Sequence, residues 1–285
     1  MAAIAVASLT KSFGEVHAVN GVSFEVAQGE CLSLLGPNGA GKTTTTEILE
    51  GYTKPDSGHV EVLGHDPQHA DLAWRARLGI VLQSVRDLGD LTVIEAVRHF
   101  AQYYPNPKDP EAVIAAVGLT HKAGSRNDQL SGGQRRRLDV ALGVIGNPEL
   151  LFLDEPTTGF DPEARREFWD LIESLKADGA TILLTTHYLD EAERLADRVA
   201  VIARGRIIAC DAPHLLGNRN TGLAVVSWTE GGIAHQEQTA QPTLLTQELA
   251  HRFNGEVPDL SIKRPSLEDT YLALIDGDEL RGDAR

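Results

Sequence analysis

Gly36-Pro37-Asn38-Gly39-Ala40-Gly41-Lys42-Thr43 decides the fold. The octapeptide fits the phosphate-loop pattern G-x-x-x-x-G-K-[ST], and each residue type in it has a physical task. Glycines at 36, 39 and 41 let the backbone wrap tightly enough for its N–H groups to face phosphate oxygens. Lys42 offers a point charge to the β- and γ-phosphates, and the Thr43 hydroxyl is a ligand for Mg²⁺. With Pro37, Asn38, Ala40 and Thr44 these residues form a predicted nucleotide-phosphate cradle. The flanks agree with it. Cys31–Leu35 reads as a short buried strand, and Thr43–Glu50 as a helix whose positive end faces the same oxygens.

Downstream, Leu150-Leu151-Phe152-Leu153-Asp154-Glu155 is an apolar strand ending in two carboxylates. Consecutive strand residues point to opposite faces, but where a strand ends both can turn to the loop at its carboxyl edge. Two such residues are ordinarily a solvated strand end; after a phosphate loop they read instead as a hydrolytic pair. Asp154 would hold Mg²⁺, and Glu155 would orient or deprotonate an attacking water. Gln83 ends a strand at Leu78–Leu82 and is a candidate sensor of Mg²⁺ and of that water. His187 follows a strand at Thr181–Thr185, which puts it at the same sheet edge. A lone histidine is more often structural, and spacing alone leaves both roles open.

Further strands are predicted at Ile4–Leu9, Val19–Val26, His59–Leu63, Val199–Ala203 and Ile207–Ala209, the last two as a hairpin around Arg204-Gly205. From Leu91 to Gly146 the pattern is helical, with Val93, Ala96, Val97 and Phe100 on one face and Val113, Ala116 and Val117 on another. Asp161–Lys176 is a well-marked helix: Asp161 at the N-cap, Pro162 in the first turn, Phe168, Leu171, Ile172 and Leu175 inward, Gly179 after its end. A composition shift near Gly217–Gly222 marks a small tail domain. It carries a strand at Leu223–Trp228, a polar loop through Gln241, a helix at Leu244–Phe253, a strand near Leu260–Lys263, and a last helix opened by Ser266 with Asp269 closing a capping box. Strands alternating with helices imply an α/β core.

The 285 residues suit one large or two modest domains, and 42% apolar with 24% charged residues is ordinary globular usage. Lys plus Arg total 26 against 41 Asp plus Glu, a formal charge of −15, which argues against broad nucleic-acid binding. That balance does not oppose a polyphosphate. At about 4 Å and an effective dielectric near 20, Lys42 attracts a phosphate by roughly 4 kcal/mol. A surface carboxylate about 20 Å away, beyond two Debye lengths, contributes on the order of hundredths of a kcal/mol. The Arg135–Arg137 run reads as a solvated helix face with salt bridges. Cys31 and Cys210 read as two buried thiols in a reducing compartment. His65 and His69 are four apart, but Pro67 interrupts any helix that would make them a metal pair. No apolar run reaches the roughly 18 to 20 residues that cross a bilayer, and Ala2–Ala7 is short for a signal-peptide core, so a cytosolic chain is expected.

Leu130-Ser131-Gly132-Gly133-Gln134 is a second glycine-rich turn opening a helix, a further anion site made of a hydroxyl, backbone N–H groups and a helix N-terminus. Here the chain resembles the ATP-binding subunits of ABC transporters, in which LSGGQ is the signature motif. The resemblance spans residues 1 to about 216 in the family's order. It implies a P-loop α/β ATPase fold with an antiparallel β subdomain, a helical subdomain at about 84–146, and a small α+β domain at 217–285. It also implies that each signature, Leu130–Gln134, faces the ATP bound on the other protomer, so that a dimer, and with both half-sites intact a homodimer, is expected. Phe13 resembles the aromatic that stacks on adenine, Gln83 the Q-loop glutamine, Asp161 the D-loop and His187 the switch histidine; LLFLDE resembles the Walker B strand. Phe160 stands where leucine is common, and Leu82 where proline is common.

A separate integral membrane permease is implied as partner, met by the segment after Gln83, with the ATPase held at the cytoplasmic face of the membrane. Pro265-Ser266-Leu267-Glu268-Asp269-Thr270-Tyr271-Leu272 is similar to a C-terminal motif of drug-resistance-type exporter ATPases, which implies export of a drug, antibiotic or other hydrophobic compound. A soluble ABC ATPase of repair, iron–sulfur assembly or translation is the rival. It is disfavoured by single copies of each motif and the lack of coiled-coil or zinc insertions. A scaffold that binds ATP without turning it over is the other rival, opposed by Glu155 and His187.

Overall fold

Alternation of apolar residues builds the first sheet. In the computed structural model, which describes residues 2–81, 90–218 and 223–282, β1 (Ala2–Phe13), β2 (Val16–Ala27) and β4 (Ser57–Val62) form an antiparallel sheet in the order β2-β1-β4. Ile4 lies opposite Val26 and Val62, and Val6 opposite Phe24 and Val60. This apolar side packs with Ile48, Leu49 and Trp74, all at most 1% exposed. The Trp74 indole N–H donates to the Val62 carbonyl at 2.8 Å, which satisfies the one polar atom the ring carries inward. β1 runs past the predicted Ile4–Leu9 because its outer half pairs through backbone rather than apolar side chains.

The second sheet holds the phosphate loop. β3 (Cys31–Leu35) lies between β7 (Thr181–Thr186) and β8 (Arg198–Ala203), parallel to both. β5 (Leu78–Val81) and β6 (Leu150–Asp154) extend it on the β7 side, and β9 (Arg206–Asp211) closes the other edge: β5-β6-β7-β3-β8-β9. β3 is buried at all five residues and β7 at all six, as both-faces-covered parallel strands require. α1 (Lys42–Leu49) follows β3 directly, and α6 (Pro162–Ala177) packs Phe168, Leu171, Ile172 and Leu175 as predicted, with Trp169 added. α7 (Leu189–Leu195) leads from β7 to β8. The hairpin at Arg204-Gly205 is present, both residues left-handed at φ 47° and 72°.

The helical block contains α3 (Val93–Ala101), α4 (Pro110–Ala116) and α5 (Gly132–Val144), after the four-residue α2 (Leu72–Arg75). Thr92 and Glu95 form a full capping box at the start of α3. On α4, Ala116 is exposed and Ile114 is buried with Val113 instead, a rotation of the apolar stripe by part of a turn.

The chain divides into two compact units, Met1–Cys210 and Asp211–Arg285. This division falls six residues before the expected boundary after 216; within the second unit a Cβ on Gly217, in the 3₁₀ turn at Leu216–Asn218, would stand 2.5 Å from Thr270 of α9 (Leu267–Gly282). In the second unit β10 (Ala224–Glu230) lies between β11 (Ile233–Thr239) and β12 (Ser261–Lys263), and α8 (Pro242–Arg252) packs Leu249 against Val226 and Trp228. β11 replaces part of the predicted polar loop. It shows no apolar alternation because every residue but Thr239 is exposed, and it is held by backbone pairing after the left-handed Gly231-Gly232 turn. That Gly-Gly turn was the readable hairpin signal. The Ser266–Asp269 capping box is formed, with Asp269 N–H donating to Ser266 Oγ at 3.0 Å and Ser266 N–H to Asp269 at 2.8 Å.

Candidate functional site

The loop from Gly36 to Gly41 leaves the end of β3 and becomes α1 without a spacer. Two of its glycines are required by close approach. A Cβ on Gly36 would sit 2.3 Å from the Ile202 carbonyl oxygen, and one on Gly41 would sit 2.2 Å from that of Ala18, at φ 103°. The loop is thereby pressed against β8 and β2 and cannot drift from the sheet edge. A cavity of about 460 Å³ opens above it, lined by Asn38, Gly39, Gly41, Lys42, Thr43 and Thr44, with Val16, Ala18 and Glu155 on its other walls.

Lys42 is 4% exposed. Its ammonium donates to the Gly36 carbonyl at 2.9 Å and to that of Pro37 at 3.2 Å, and lies 3.4 Å from Glu155 Oε1. The same carboxylate oxygen lies 3.3 Å from His187 Nδ1. The fold therefore gathers Lys42, Glu155 and His187 around one oxygen from three separate elements, with Thr43 exposed at the first turn of α1. A cation, hydroxyl and helix N-terminus beside a carboxylate–imidazole pair can hold a polyphosphate and polarise a water near it.

Glu155 is reached by an unusual backbone. It sits just after β6 at φ 41°, left-handed in a non-glycine residue. Its N–H donates to the Thr185 carbonyl and hydroxyl, each at 3.1 Å. Thr185 Oγ1 also donates to Asp154 Oδ1. From the other side Arg136 donates to the Asp154 carbonyl and to the Pro156 carbonyl, both at 2.9 Å. These bonds hold the turn that separates the directions of Asp154 and Glu155.

Arg136 corrects the reading of the arginine run. It is 6% exposed and pairs with buried Asp139 at 3.9 Å, while Arg137 bonds Glu167. Only Arg135 is exposed. The signal was legible: Arg136 falls on the stripe of buried Val140 and Gly143, with an acid three residues on. Thr185 carried no comparable signal, since a threonine in a buried strand is unremarkable in sequence.

Phe13 is 54% exposed at the end of β1, its ring carrying the Lys11 ammonium 5.3 Å from the centroid. Leu130 is buried, and Ser131 caps α5: its hydroxyl accepts from Gln134 N–H at 3.2 Å and its own N–H donates to Gln134 Oε1 at 3.0 Å. Ser131 and Gly132 are exposed, Gly133 and Gln134 half-buried. Asp161 caps α6 through Ala164 N–H at 2.8 Å. Among the described residues that line the cavity, none belongs to Leu130–Gln134. Gln83 and Leu82 lie outside the described residues.

Among the described residues no His, Cys, Asp and Glu cluster forms a metal-binding group, His65 and His69 included. Cys31 is buried, its thiol pushed up to about 12 chiefly by desolvation. Cys210 differs from expectation: it is half-buried, and the Arg198 guanidinium donates to its sulfur at 3.0 Å. No helix among the described residues is long and apolar enough to cross a membrane.

Glu50 ends α1 and is 8% exposed. Desolvation, with Asp154 and Glu47 adding repulsion, pushes its carboxyl up to about 8 from 4.5. A folded value above the unfolded one makes the native state favoured at low pH and progressively less so as pH rises towards 8. The slope is about 1.4 kcal/mol per pH unit, so the full loss is at most about 5 kcal/mol. Glu50→Gln is expected to flatten this fall. Urea unfolding at pH 5 and pH 8 measures it, and an identical pH difference in both proteins contradicts the assignment.

Residues 19–158 match the family described as ABC transporter. The Nod factor export ATP-binding protein I of Rhizobium meliloti (strain 1021) is 47% identical over 240 residues, 82% of this chain and 71% of that protein. The protein of the same name from Rhizobium sp. (strain N33) is 43% identical over 95% of this chain and 96% of its own. These relatives are named for export, but not of the drug or antibiotic that the tail motif suggested. The fold is similar to a solved ATP-binding cassette of an ABC transporter in its ADP conformation, at 27% identity and a TM-score of 0.66 over 74% of this chain and 91% of that one. It is also similar to a cassette in a dimeric post-hydrolysis state bound to ADP and Pi, at 25% identity and a TM-score of 0.65 over 73% and 98%. A phosphate loop at the edge of the parallel sheet, an apolar strand ending in Asp154-Glu155, and relatives nearly half identical over most of their length lead to one assignment: this chain belongs to the ATP-binding, ATP-hydrolysing subunits of the ABC transporters.

Proposed function

We propose that the chain energises export through a separate membrane permease, with two copies closing around two MgATP molecules at the cytoplasmic face of the membrane. The observation that carries this reading is the gathering of Lys42, Glu155 and His187 on one carboxylate oxygen above the phosphate loop. Phe13, exposed at the end of β1, stacks the base. Lys42 and the N–H groups of residues 36–44 hold the phosphates. Thr43 and Asp154 offer the hard oxygen donors that Mg²⁺ takes, with Gln83 as a further ligand. Asp154 fits that part: Thr185 engages one carboxylate oxygen and orients the group at the strand end. When bound, the ion neutralises charge across the β- and γ-phosphate oxygens.

Glu155 polarises the water and His187 steadies the γ-phosphate side of the site. Leu130, Ser131, Gly132, Gly133 and Gln134 of a second copy cover the nucleotide, with Asp161 beside them; that none of them is among the described residues lining the cavity of their own chain supports this use. Closure gains contacts that need the γ-phosphate, so hydrolysis moves the equilibrium towards the open form. A second cavity, of about 450 Å³ and edged by Tyr52, Phe100, Tyr104 and Leu142, is an aromatic surface suited to a segment of the permease.

The relatives' names support export as the direction, and favour a cargo handled like theirs over a drug. The test is affinity purification of the tagged chain from detergent-solubilised membranes. Recovery of an integral membrane permease whose presence stimulates ATP turnover is the expected result. A chain found only in the soluble fraction, hydrolysing ATP alone, belongs instead to the soluble ABC ATPases.

A further inference from the structure

The C-terminal unit carries an open strand edge. β11 pairs with β10 residue for residue, from Ile233 opposite Glu230 to Thr239 opposite Ala224, with no bulge. Among the described residues no strand flanks its other side. The two-residue Gly231-Gly232 turn makes Glu230–Ile233 a hydrogen-bonded pair. Pairs alternate from there, so Ile233, His235, Glu237 and Thr239 turn their N–H and C=O groups towards β10. Ala234, Gln236 and Gln238 turn theirs to the open side, and all three are exposed. Natural sheets blunt such an edge with Lys, Pro, a bulge or a very short strand. The seven residues of β11 contain no Lys or Pro and a single charged residue, Glu237, and the strand is regular throughout.

We propose that β11 pairs with β11 of a second copy of this chain, antiparallel about a two-fold axis at Gln236, joining two three-stranded sheets into one of six strands. The register follows from symmetry and charge. A two-fold antiparallel pair sets one residue opposite itself. A centre at His235 pairs only residues 233–237 of the seven and sets Ile233 opposite Glu237, and a centre at Glu237 opposes two carboxylates, which is destabilising. Centres at Ala234 or Gln238 pair only the ends of the strand. A centre at Gln236 sets each His235 opposite Glu237 of the other copy, at the non-hydrogen-bonded position where side chains come closest. The outward groups then meet outward groups: Gln236 with Gln236, and Ala234 with Gln238 twice. His235 is already ordered for this, its ring stacked on Trp228 at 5.6 Å and 15°. The pairing holds two copies together whether or not nucleotide is bound, so the ATP-dependent closure acts on an assembled pair.

The test uses the full chain without nucleotide, so that a failed ATP sandwich and a failed strand pairing read separately. Cys210→Ser removes the half-buried native thiol. Gln236→Cys in that background should form a disulfide-linked dimer under mild oxidation, because directly opposed hydrogen-bonded residues lie about 5.5 Å apart between Cα atoms, within disulfide reach. His235→Cys and Glu237→Cys should give under about a tenth of that yield, their own symmetry mates being displaced along the strand beyond about 7 Å. Glu237→Lys, without introduced cysteine, should weaken nucleotide-free self-association about five-fold or more in sedimentation equilibrium. Preferential linking at His235 or Glu237 would overturn the register. Absence of linking at all three positions, or a Glu237→Lys protein that associates like the parent, overturns the pairing itself.

Discussion

Glu155→Gln is expected to bind ATP with near-parental affinity while hydrolysing it about 10²- to 10⁴-fold more slowly, the range set by loss of a positioned general base. The substitution keeps the shape and one acceptor oxygen. It removes the negative charge that Lys42 and His187 both approach, at 3.4 and 3.3 Å. Placement should survive, because Glu155 is held through its backbone: the bonds to Thr185 and the grip of Arg136 on the residues either side do not involve the side chain. With ATP bound and no γ-phosphate cleavage, the closed pair should accumulate. Phosphate release and gel filtration at saturating ATP measure both halves. Parental turnover in this variant contradicts the assignment of the base.

Lys42→Ala acts one step earlier. Its ammonium is the buried cation among the groups lining the cavity, held by the Gly36 and Pro37 carbonyls at the mouth of α1. At an effective dielectric of 20 and about 4 Å its attraction to a phosphate is roughly 4 kcal/mol. Part of that offsets lost hydration, so ATP affinity is expected to fall about 100-fold, close to 3 kcal/mol. Titration calorimetry reads the change, with thermal unfolding as a check, since removal of Lys42 also leaves Glu155 without its nearest cation. Unchanged affinity in a folded protein would refute the cradle.

The contrast between these two variants separates chemistry from binding. One stops turnover with the nucleotide held; the other loses the nucleotide. A chain in which both merely lowered stability would be one whose cavity serves packing rather than ATP.

Local chemistry was legible because it is local. The phosphate loop announces itself in eight residues, since the glycine spacing, the lysine and the hydroxyl are demanded by one ligand and lie on one turn of chain. Helix caps behave the same way: Asp161 and Ser266 bond N–H groups only three residues on, so type and spacing suffice. Both-faces-buried strands such as β3 and β7 show as short stretches without charge, apolar but for Ser33 in one and three threonines in the other, because nothing in them faces water.

What needed the tertiary structure was whatever depends on partners distant in the chain. Glu155 and His187 are separated by 32 positions and Lys42 by more than a hundred, and only the parallel order β6-β7-β3 brings their strand ends together. Thr185 and Arg136 shape the turn at Glu155 through backbone carbonyls and N–H groups, which carry no side-chain signature. β11 escaped notice for the same reason: its pairing is all backbone, so water on both faces erased the alternation by which strands are read. Sequence alone set which groups could meet a phosphate; the sheet order decided which of them share one oxygen.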